Sequence, residues 1–299
     1  MSQLEWRGVF PALTSKFAAD GSLDWEAMGS HLEFQLDAGV HGLVILGSLG
    51  ENAALDEQEK ADMLRFFVEA DRRGRPLIAT VAERSTRKAC EFAAHCEKAA
   101  ADGLMLLPPM GYQGVRRETL TYLKRVAGAT SLPIMLYNNP IAYGTDLSPG
   151  DLAELAENPS FEAIKESSGD TRRITEIRRL TGERFAIFCG IDDLAFECFA
   201  VGAVGWVAGL VCAFPRETVR LVELMEAGEW EQARALYEWF LPLLHLDTGP
   251  FFVHQIKLVE ALMGVGSARL RAPRLQLPEA RAAEIEAILQ QALDSRPAV

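Results

Sequence analysis

The 299-residue chain predicts a (β/α)8 barrel of the α/β class with a helical extension at its C-terminal end. Short β-rich runs alternate with amphipathic stretches through the first three quarters of the sequence. Those runs are apolar at successive positions (VILGS, LMLLPP, IMLYN), as strands buried on both faces of a parallel sheet must be. Strand–helix units repeated over roughly 225 residues have the size of a TIM barrel.

The strands expected in order are Gly8–Leu13, Gly42–Gly47, Pro76–Val81, Gly103–Pro108, Pro133–Asn138, Phe161–Ser167, Phe185–Gly190 and Gly205–Leu210. Helices fill the intervals. Ala38-Gly39-Val40-His41-Gly42, Ala100-Ala101-Asp102-Gly103 and Val201-Gly202-Ala203-Val204-Gly205 form a weak internal repeat, in which small residues permit a helix end and a tight turn into the next strand. Asp56 with Glu59 reads as a capping box and Leu55 as half of a hydrophobic staple. Ser148-Pro149 places a cap ahead of an N1 proline. After Leu210 the period becomes purely helical, over Pro215–Ala227, Trp230–Leu244, Gly249–Met263 and Pro278–Leu293. The first closes the barrel, so the expected division is a barrel over 1–227 and a helical extension over 228–299, packed on it without a linker.

Nearly half the residues are apolar, enough for a sizeable core, and the net charge is -12. That charge argues against nucleic acid, which needs a basic patch. The start lacks a basic segment followed by an apolar run, and no stretch is long and apolar enough for a bilayer. The expected location is the cytoplasm, with no membrane partner. The five cysteines, Cys90, Cys96, Cys189, Cys198 and Cys212, contain no CxxC pair; they read as reduced, buried thiols rather than a zinc site.

In this fold chemistry sits at the C-terminal ends of the strands. Those ends are Gly47-Ser48-Leu49-Gly50-Glu51, Tyr137-Asn138-Asn139-Pro140, Lys165-Glu166-Ser167-Ser168-Gly169 and Gly190-Ile191-Asp192-Asp193. Lys165 follows a run that should be buried. Facing inward, its ammonium is costly, its pKa falls, and the neutral amine can attack a carbonyl; facing outward or paired with Glu166, it is structural. Tyr137 is either a proton-relaying phenol or a core aromatic with its hydroxyl satisfied. The glycines around Ser48-Leu49 allow a tight loop whose N–H groups hold a carboxylate, or an ordinary strand–helix turn. The stretch Leu244–Pro250 reads either as a functional segment or as an ordinary αα turn.

Taken together, GSLGE, YNNP, the strand-six lysine and GIDD resemble the dihydrodipicolinate synthase/N-acetylneuraminate lyase family. The likeness runs from Gly8 to about Leu277, including the opening GVFPALTSKFAADGSLD and the closing Ala272-Pro273-Arg274-Leu275-Gln276-Leu277. The resemblance implies a class I lyase in which Lys165 forms the Schiff base and Tyr137 shuttles protons, with Ser48 and Leu49 binding the substrate carboxylate through backbone amides. Gly47, Ser167, Asp192, Trp206 and Val207, at the same strand ends, complete the expected pocket. It further implies no metal, no organic cofactor, and a homotetramer built as a dimer of dimers.

The sequence departs from the lysine-biosynthetic members of that family at several positions. Leu49 replaces the second threonine of GTTGE and with it the expected relay hydroxyl. Ala142, followed by Tyr143, stands where an arginine would hold a second carboxylate. Met110-Gly111-Tyr112 replaces paired tyrosines, one of which reaches a neighbouring subunit. Trp206 is expected to fill the space of a polyol tail, leaving Asp192 to meet one substrate hydroxyl. These features resemble the catabolic members, and 1-pyrroline-4-hydroxy-2-carboxylate deaminase is the leading expectation. The alternatives are a 2-keto-3-deoxy sugar acid aldolase or dehydratase, a 4-hydroxy-tetrahydrodipicolinate synthase, and a non-catalytic sugar-acid-binding homologue. The partner expected in every case is a small 2-oxo acid or imino acid.

Overall fold

The computed structural model describes residues 4–298. Its eight strands are β1 (Gly8–Pro11), β2 (Leu43–Ile45), β3 (Leu77–Val81), β4 (Gly103–Leu106), β5 (Ile134–Asn138), β6 (Phe161–Glu166), β7 (Ala186–Cys189) and β8 (Gly205–Ala208). All pair in parallel in the order β1-β8-β7-β6-β5-β4-β3-β2. Closure between β1 and β2 comes from His41 N–H donating to the Val9 carbonyl at 2.8 Å and Leu13 N–H to the Val44 carbonyl at 2.9 Å. The predicted (β/α)8 barrel is therefore present. Each strand is shorter than predicted, because the apolar run continues beyond the ladder into the strand–helix loops.

Inside the barrel the rings of Phe10 and Phe188 meet edge to face with centroids 5.1 Å apart. Gly205 makes room for them: a Cβ there would lie 2.6 Å from Phe188 Cδ1. Around the sheet lie α1 (Trp25–Asp37), α2 (Glu57–Glu69), α3 (Thr86–Lys98), α4 (Arg116–Ala127), the one-turn α5 (Pro140–Tyr143), α6 (Pro149–Leu155), α7 (Arg172–Thr181), α8 (Ala195–Ala200) and α9 (Pro215–Glu226). The expected caps are in place. Asp56 Oδ1 accepts from Glu59 N–H at 2.8 Å while Glu59 Oε2 accepts from Asp56 N–H at 3.0 Å, and the Ser148 hydroxyl accepts from Asp151 N–H at 3.2 Å.

Three further helices follow: α10 (Trp230–Leu244), α11 (Phe252–Leu262) and α12 (Glu279–Asp294). They pack on the barrel and on one another. Phe214 meets Phe240 at 5.8 Å, and Trp239 Nε1–H donates to the Ala292 carbonyl at 3.0 Å. Buried charges tie α11 to the barrel rim. Lys257 Nζ donates to Glu51 Oε1 at 2.8 Å with both side chains fully buried. Glu51 also receives Arg271 N–H at 3.1 Å and Arg274 Nη1–H at 3.4 Å. Nearby, Lys16 Nζ lies 2.7 Å from Glu260 Oε1, which also accepts from Thr14 Oγ1–H at 2.7 Å. His31 approaches the same carboxylate at 3.4 Å. Burial lowers the His31 pKa to about 4, so the lysine is the cation of this cluster.

Opposed charges this deeply buried must be removed together. Lys257→Met leaves Glu51 with only the two longer contacts and is expected to cost about 3 kcal/mol, the low end for breaking a buried pair. Thermal unfolding should show a fall of roughly 5–10 °C in Tm, and adding Glu51→Gln should recover part of it. An unchanged Tm in the single variant contradicts this account.

Candidate active site

The register of the sheet decides which side chains meet. In β5 and β6, Tyr137 is aligned with Lys165, and Lys165 with Phe188 of β7. Aligned residues share a face, and Phe188 faces inward, so Tyr137 and Lys165 do also. Glu166, one residue on, faces the helical shell. There it accepts from Asn138 Nδ2–H at 3.1 Å and from Ser168 N–H at 2.7 Å, and Arg173 lies 3.7 Å away. Glu166 is thus spoken for, and Lys165 makes no ion pair within 4 Å among the described residues. Its Nζ stands 4.4 Å above the Tyr137 ring. Burial is the leading cause that lowers its pKa, against a partial pull upward from Asp247, Tyr143 and Asp192. The stem passes over Gly190, where a Cβ would lie 2.7 Å from Lys165 Cγ and closer still to Ser167 Oγ.

The YNNP motif organises the far side. Asn138 Oδ1 accepts from Leu147 N–H at 2.9 Å, pinning the chain beyond α5. Asn139 caps α5 by accepting from Ala142 N–H at 2.9 Å, and its Nδ2–H donates to the Tyr137 hydroxyl at 3.0 Å. One helical turn then brings Tyr143 back over the barrel. Its ring meets that of Tyr137 edge to face at 6.0 Å, and its hydroxyl is hydrogen-bonded to Ser48 Oγ. Desolvation pushes both phenols up to about 12, so both are held protonated. Ala142 is exposed and carries no charge. The nearby guanidinium of Arg274 lies against Glu51.

In the β2 loop the Ser48 carbonyl accepts from Glu51 N–H at 3.1 Å and the Gly47 carbonyl from Asn52 N–H at 3.3 Å. The N–H groups of Ser48 and Leu49 donate to no protein acceptor among the described residues. The Leu49 side chain is buried in the core. Expecting the relay hydroxyl to be lost with Leu49 was misplaced: the hydroxyl that meets a phenol belongs to Ser48. Ser167 is buried beside Tyr137, and its Oγ has no hydrogen-bond partner among the described residues.

At β8 the structure corrects two expectations. Val207 is aligned with Phe10 and faces inward, whereas Trp206 is aligned with Cys189 on the shell side. The fully buried indole of Trp206 donates from Nε1 to Asp192 Oδ1 at 2.9 Å. It therefore does not wall a substrate tail. Asp192, in turn, is used up by the protein, since it also accepts Gly209 N–H at 3.1 Å and Leu210 N–H at 2.7 Å. Sequence reading missed two residues that do join the site. Tyr143 was noted only as the neighbour of a missing arginine. Asp247 belongs to the stretch Leu244–Pro250, for which the sequence leaves a functional segment and a plain αα turn both open; the structure makes it a turn, the 3₁₀ segment His245–Asp247, with the Leu246 carbonyl accepting Gln255 Nε2–H at 2.7 Å. A Cβ on Gly209 would lie 2.6 Å from Asp247 Cγ. Asp247 and Asp192 both lie against Gly209, whose N–H binds the Asp192 carboxylate. No periodicity marks either residue; only the fold brings them to Lys165.

Comparison with known proteins agrees with this geometry. Residues 5–292 match the profile of the dihydrodipicolinate synthetase family. A 4-hydroxy-tetrahydrodipicolinate synthase of Geotalea uraniireducens is 32% identical over 289 residues, 96% of this chain and 98% of that protein. The synthase of Haloarcula marismortui is 31% identical over 93% of this chain and 91% of its own length. Among solved structures, the 4-hydroxy-tetrahydrodipicolinate synthase of Methylacidiphilum fumariolicum superposes with a TM-score of 0.91 at 28% identity, covering 96% of each chain. A prophage protein of the dihydrodipicolinic acid synthase family from E. coli, in complex with pyruvate, superposes at 0.89 with 27% identity, over 96% of this chain and 98% of that one. A buried strand-six lysine, an adjacent phenol and whole-length similarity together place the chain in the dihydrodipicolinate synthetase family, whose members are class I, Schiff-base-forming lyases.

Proposed function

We infer that the protein is a catabolic hydro-lyase and deaminase acting on a small cyclic imino acid with a hydroxyl at C4, such as 1-pyrroline-4-hydroxy-2-carboxylate. The observation that carries this is the Lys165 amine, buried without an ion-pair partner and facing two phenols of its own chain. Such an amine is poised to attack C2. Ring opening gives the lysine imine and frees the substrate nitrogen as an amine on C5. The imine acidifies C3–H, and loss of that proton gives the enamine. Departure of the C4 hydroxyl as water leaves a conjugated imine. Loss of a proton from C5 with protonation of C4, and then protonation of C3, leaves imines at C2 and C5, whose hydrolysis releases ammonia and a 2,5-dioxo acid, a net consumption of one water. The unengaged N–H groups of Ser48 and Leu49 suit the substrate carboxylate; the hydrogen-bonded hydroxyls of Ser48 and Tyr143, with the Tyr143 ring against that of Tyr137, supply groups suited to moving the protons.

The relatives named as synthases condense a second substrate, for which a bidentate guanidinium is the expected anchor. Ala142 cannot supply one, and Arg274 is engaged by Glu51. A non-catalytic homologue has no use for a desolvated lysine. A second reading does have an observation in its favour. With Trp206 turned to the shell, nothing contributed by β8 excludes a short polyol tail, which suits a 2-keto-3-deoxy sugar acid aldolase or dehydratase. No helix is long and apolar enough to cross a membrane; a cytoplasmic homotetramer, a dimer of dimers, belongs to the same proposal.

Incubation with pyruvate and borohydride should leave a reduced adduct on Lys165, located by peptide mapping. The hydroxylated pyrroline should yield ammonia and a dioxo acid, while pyruvate with aspartate semialdehyde should yield no cyclised product. Condensation at a rate matching catabolic turnover overturns the reading. Tyr143→Phe removes one hydroxyl from the relay; turnover is expected to fall by roughly 10²-fold with the borohydride adduct retained. Unchanged turnover removes Tyr143 from the proton path. Light scattering should give a mass near four chains, and a monomer at micromolar concentration contradicts the assembly.

A further inference from the structure

Losing the C4 hydroxyl needs a proton on the departing oxygen, whereas aldol cleavage of the same imine needs that hydroxyl deprotonated. Elimination at this site therefore requires an acid at the barrel mouth. Tyr137 and Tyr143 lie on the β5 side with the Ser48 hydroxyl. On the opposite side the turn His245–Asp247 brings in a carboxyl from outside the barrel proper. The turn is held from both directions. Gln255 Nε2–H binds the Leu246 carbonyl at 2.7 Å, and Arg281 Nε–H holds Gln255 Oε1 at 2.9 Å. His245 faces Asp193 at 3.6 Å. Asp247 rests in the space that Gly209 leaves by having no side chain.

Its neighbour settles where the proton resides. Asp192 takes the backbone donors of Gly209 and Leu210 and the Trp206 indole. Asp247 takes none of these. Burial raises the pKa of both carboxyls, but the donors of Asp192 pull against it and Asp247 has none of them, so of the two it is Asp247 that holds a proton more firmly. Burial pushes Asp247 well above the usual carboxylate range, and the Asp192 carboxylate pushes it further; only the Lys165 ammonium pulls against them. Asp192 is fully buried, whereas Asp247 is half-buried.

We propose that Asp247 is the general acid that protonates the hydroxyl leaving C4. This rests on the hydro-lyase reading and names the group that directs the imine to elimination rather than cleavage. In the step, the enamine nitrogen's lone pair forms the N=C2 bond, the C2=C3 pair moves to C3=C4, and the C4–O bond breaks. The Asp247 proton goes to the departing oxygen, which leaves as water. Asp247 becomes a carboxylate and regains its proton from solvent.

The test compares wild type with Asp247→Asn, whose amide keeps the shape and the charge of a protonated carboxyl but has no acidic proton to give. Three readouts separate the roles: the borohydride adduct of pyruvate on Lys165, exchange of pyruvate methyl protons in D2O, and water loss from the hydroxylated pyrroline and from a short 2-keto-3-deoxy sugar acid. Adduct and exchange should stay within a few-fold of wild type while water loss falls by roughly 10²–10⁴-fold. Gly209→Ala, which displaces the carboxyl without removing it, should show the same selective loss. Water loss at the wild-type rate in Asp247→Asn overturns the assignment, as does exchange falling in step with water loss, which marks a purely structural role. A wild type that exchanges pyruvate protons but dehydrates neither substrate overturns the hydro-lyase reading itself and this acid with it.

Discussion

Keeping the Lys165 amine away from both water and a counter-ion is the constraint around which the rest of this structure is arranged. A lysine in a barrel interior either finds a carboxylate and stays charged, or finds none and gives up its proton more readily. Here the adjacent acid on the same strand is turned to the shell and satisfied by Asn138, Ser168 and Arg173. Of the acids that act on the amine, Asp192 is engaged by backbone donors and the Trp206 indole, and Asp247 is packed against Gly209. What faces the nitrogen instead is the flat ring of Tyr137. Gly190 keeps the stem's path open, and any side chain there would collide with it.

The loops around the lysine are held by buried polar contacts, not by hydrophobic packing alone. Glu51 closes the GSLGE loop and adopts a left-handed backbone with φ of 55°, an unfavourable conformation for a non-glycine residue. Its carboxylate meets Lys257 from α11 and the segment around Arg271. The free N–H groups of Ser48 and Leu49 therefore depend on a residue more than two hundred positions away. The C-terminal helices are part of the site's support and, through Asp247, part of the site. Asn138 and Asn139 play the corresponding role for the β5 loop, each using both ends of its amide.

One imine can lead to condensation, cleavage or elimination, and the groups around it select among them. A guanidinium at position 142 would recruit a second carboxylate; an alanine there does not. The hydroxyls of Tyr137, Ser48 and Tyr143 gather at one side of the mouth from a single chain. The acid–base character of the mouth is asymmetric, with phenols on one side and a carboxyl pair on the other.

The barrel and its strands were legible in the sequence because each follows from a local rule, and the burial of Lys165 with them. Apolar runs separated by amphipathic stretches demand a two-sided sheet, and a lysine at the end of such a run has few inexpensive places to go. The caps at Asp56 and Ser148 were readable for the same reason: they involve residues three apart. Facing was harder. Trp206 and Val207 are adjacent, and one step in register exchanges the inner face for the outer; without the pairing to Phe10 and Cys189 the larger side chain looked like the pocket wall. Leu49 and Ser48 posed the same difficulty within one loop. Tyr143 and Asp247 could not be placed from sequence at all, since a one-turn helix and a 3₁₀ turn carry too little periodicity to aim a side chain. Only tertiary structure brings position 247 to within interaction range of position 165, because that contact is made by the way α10 and α11 cross the barrel mouth.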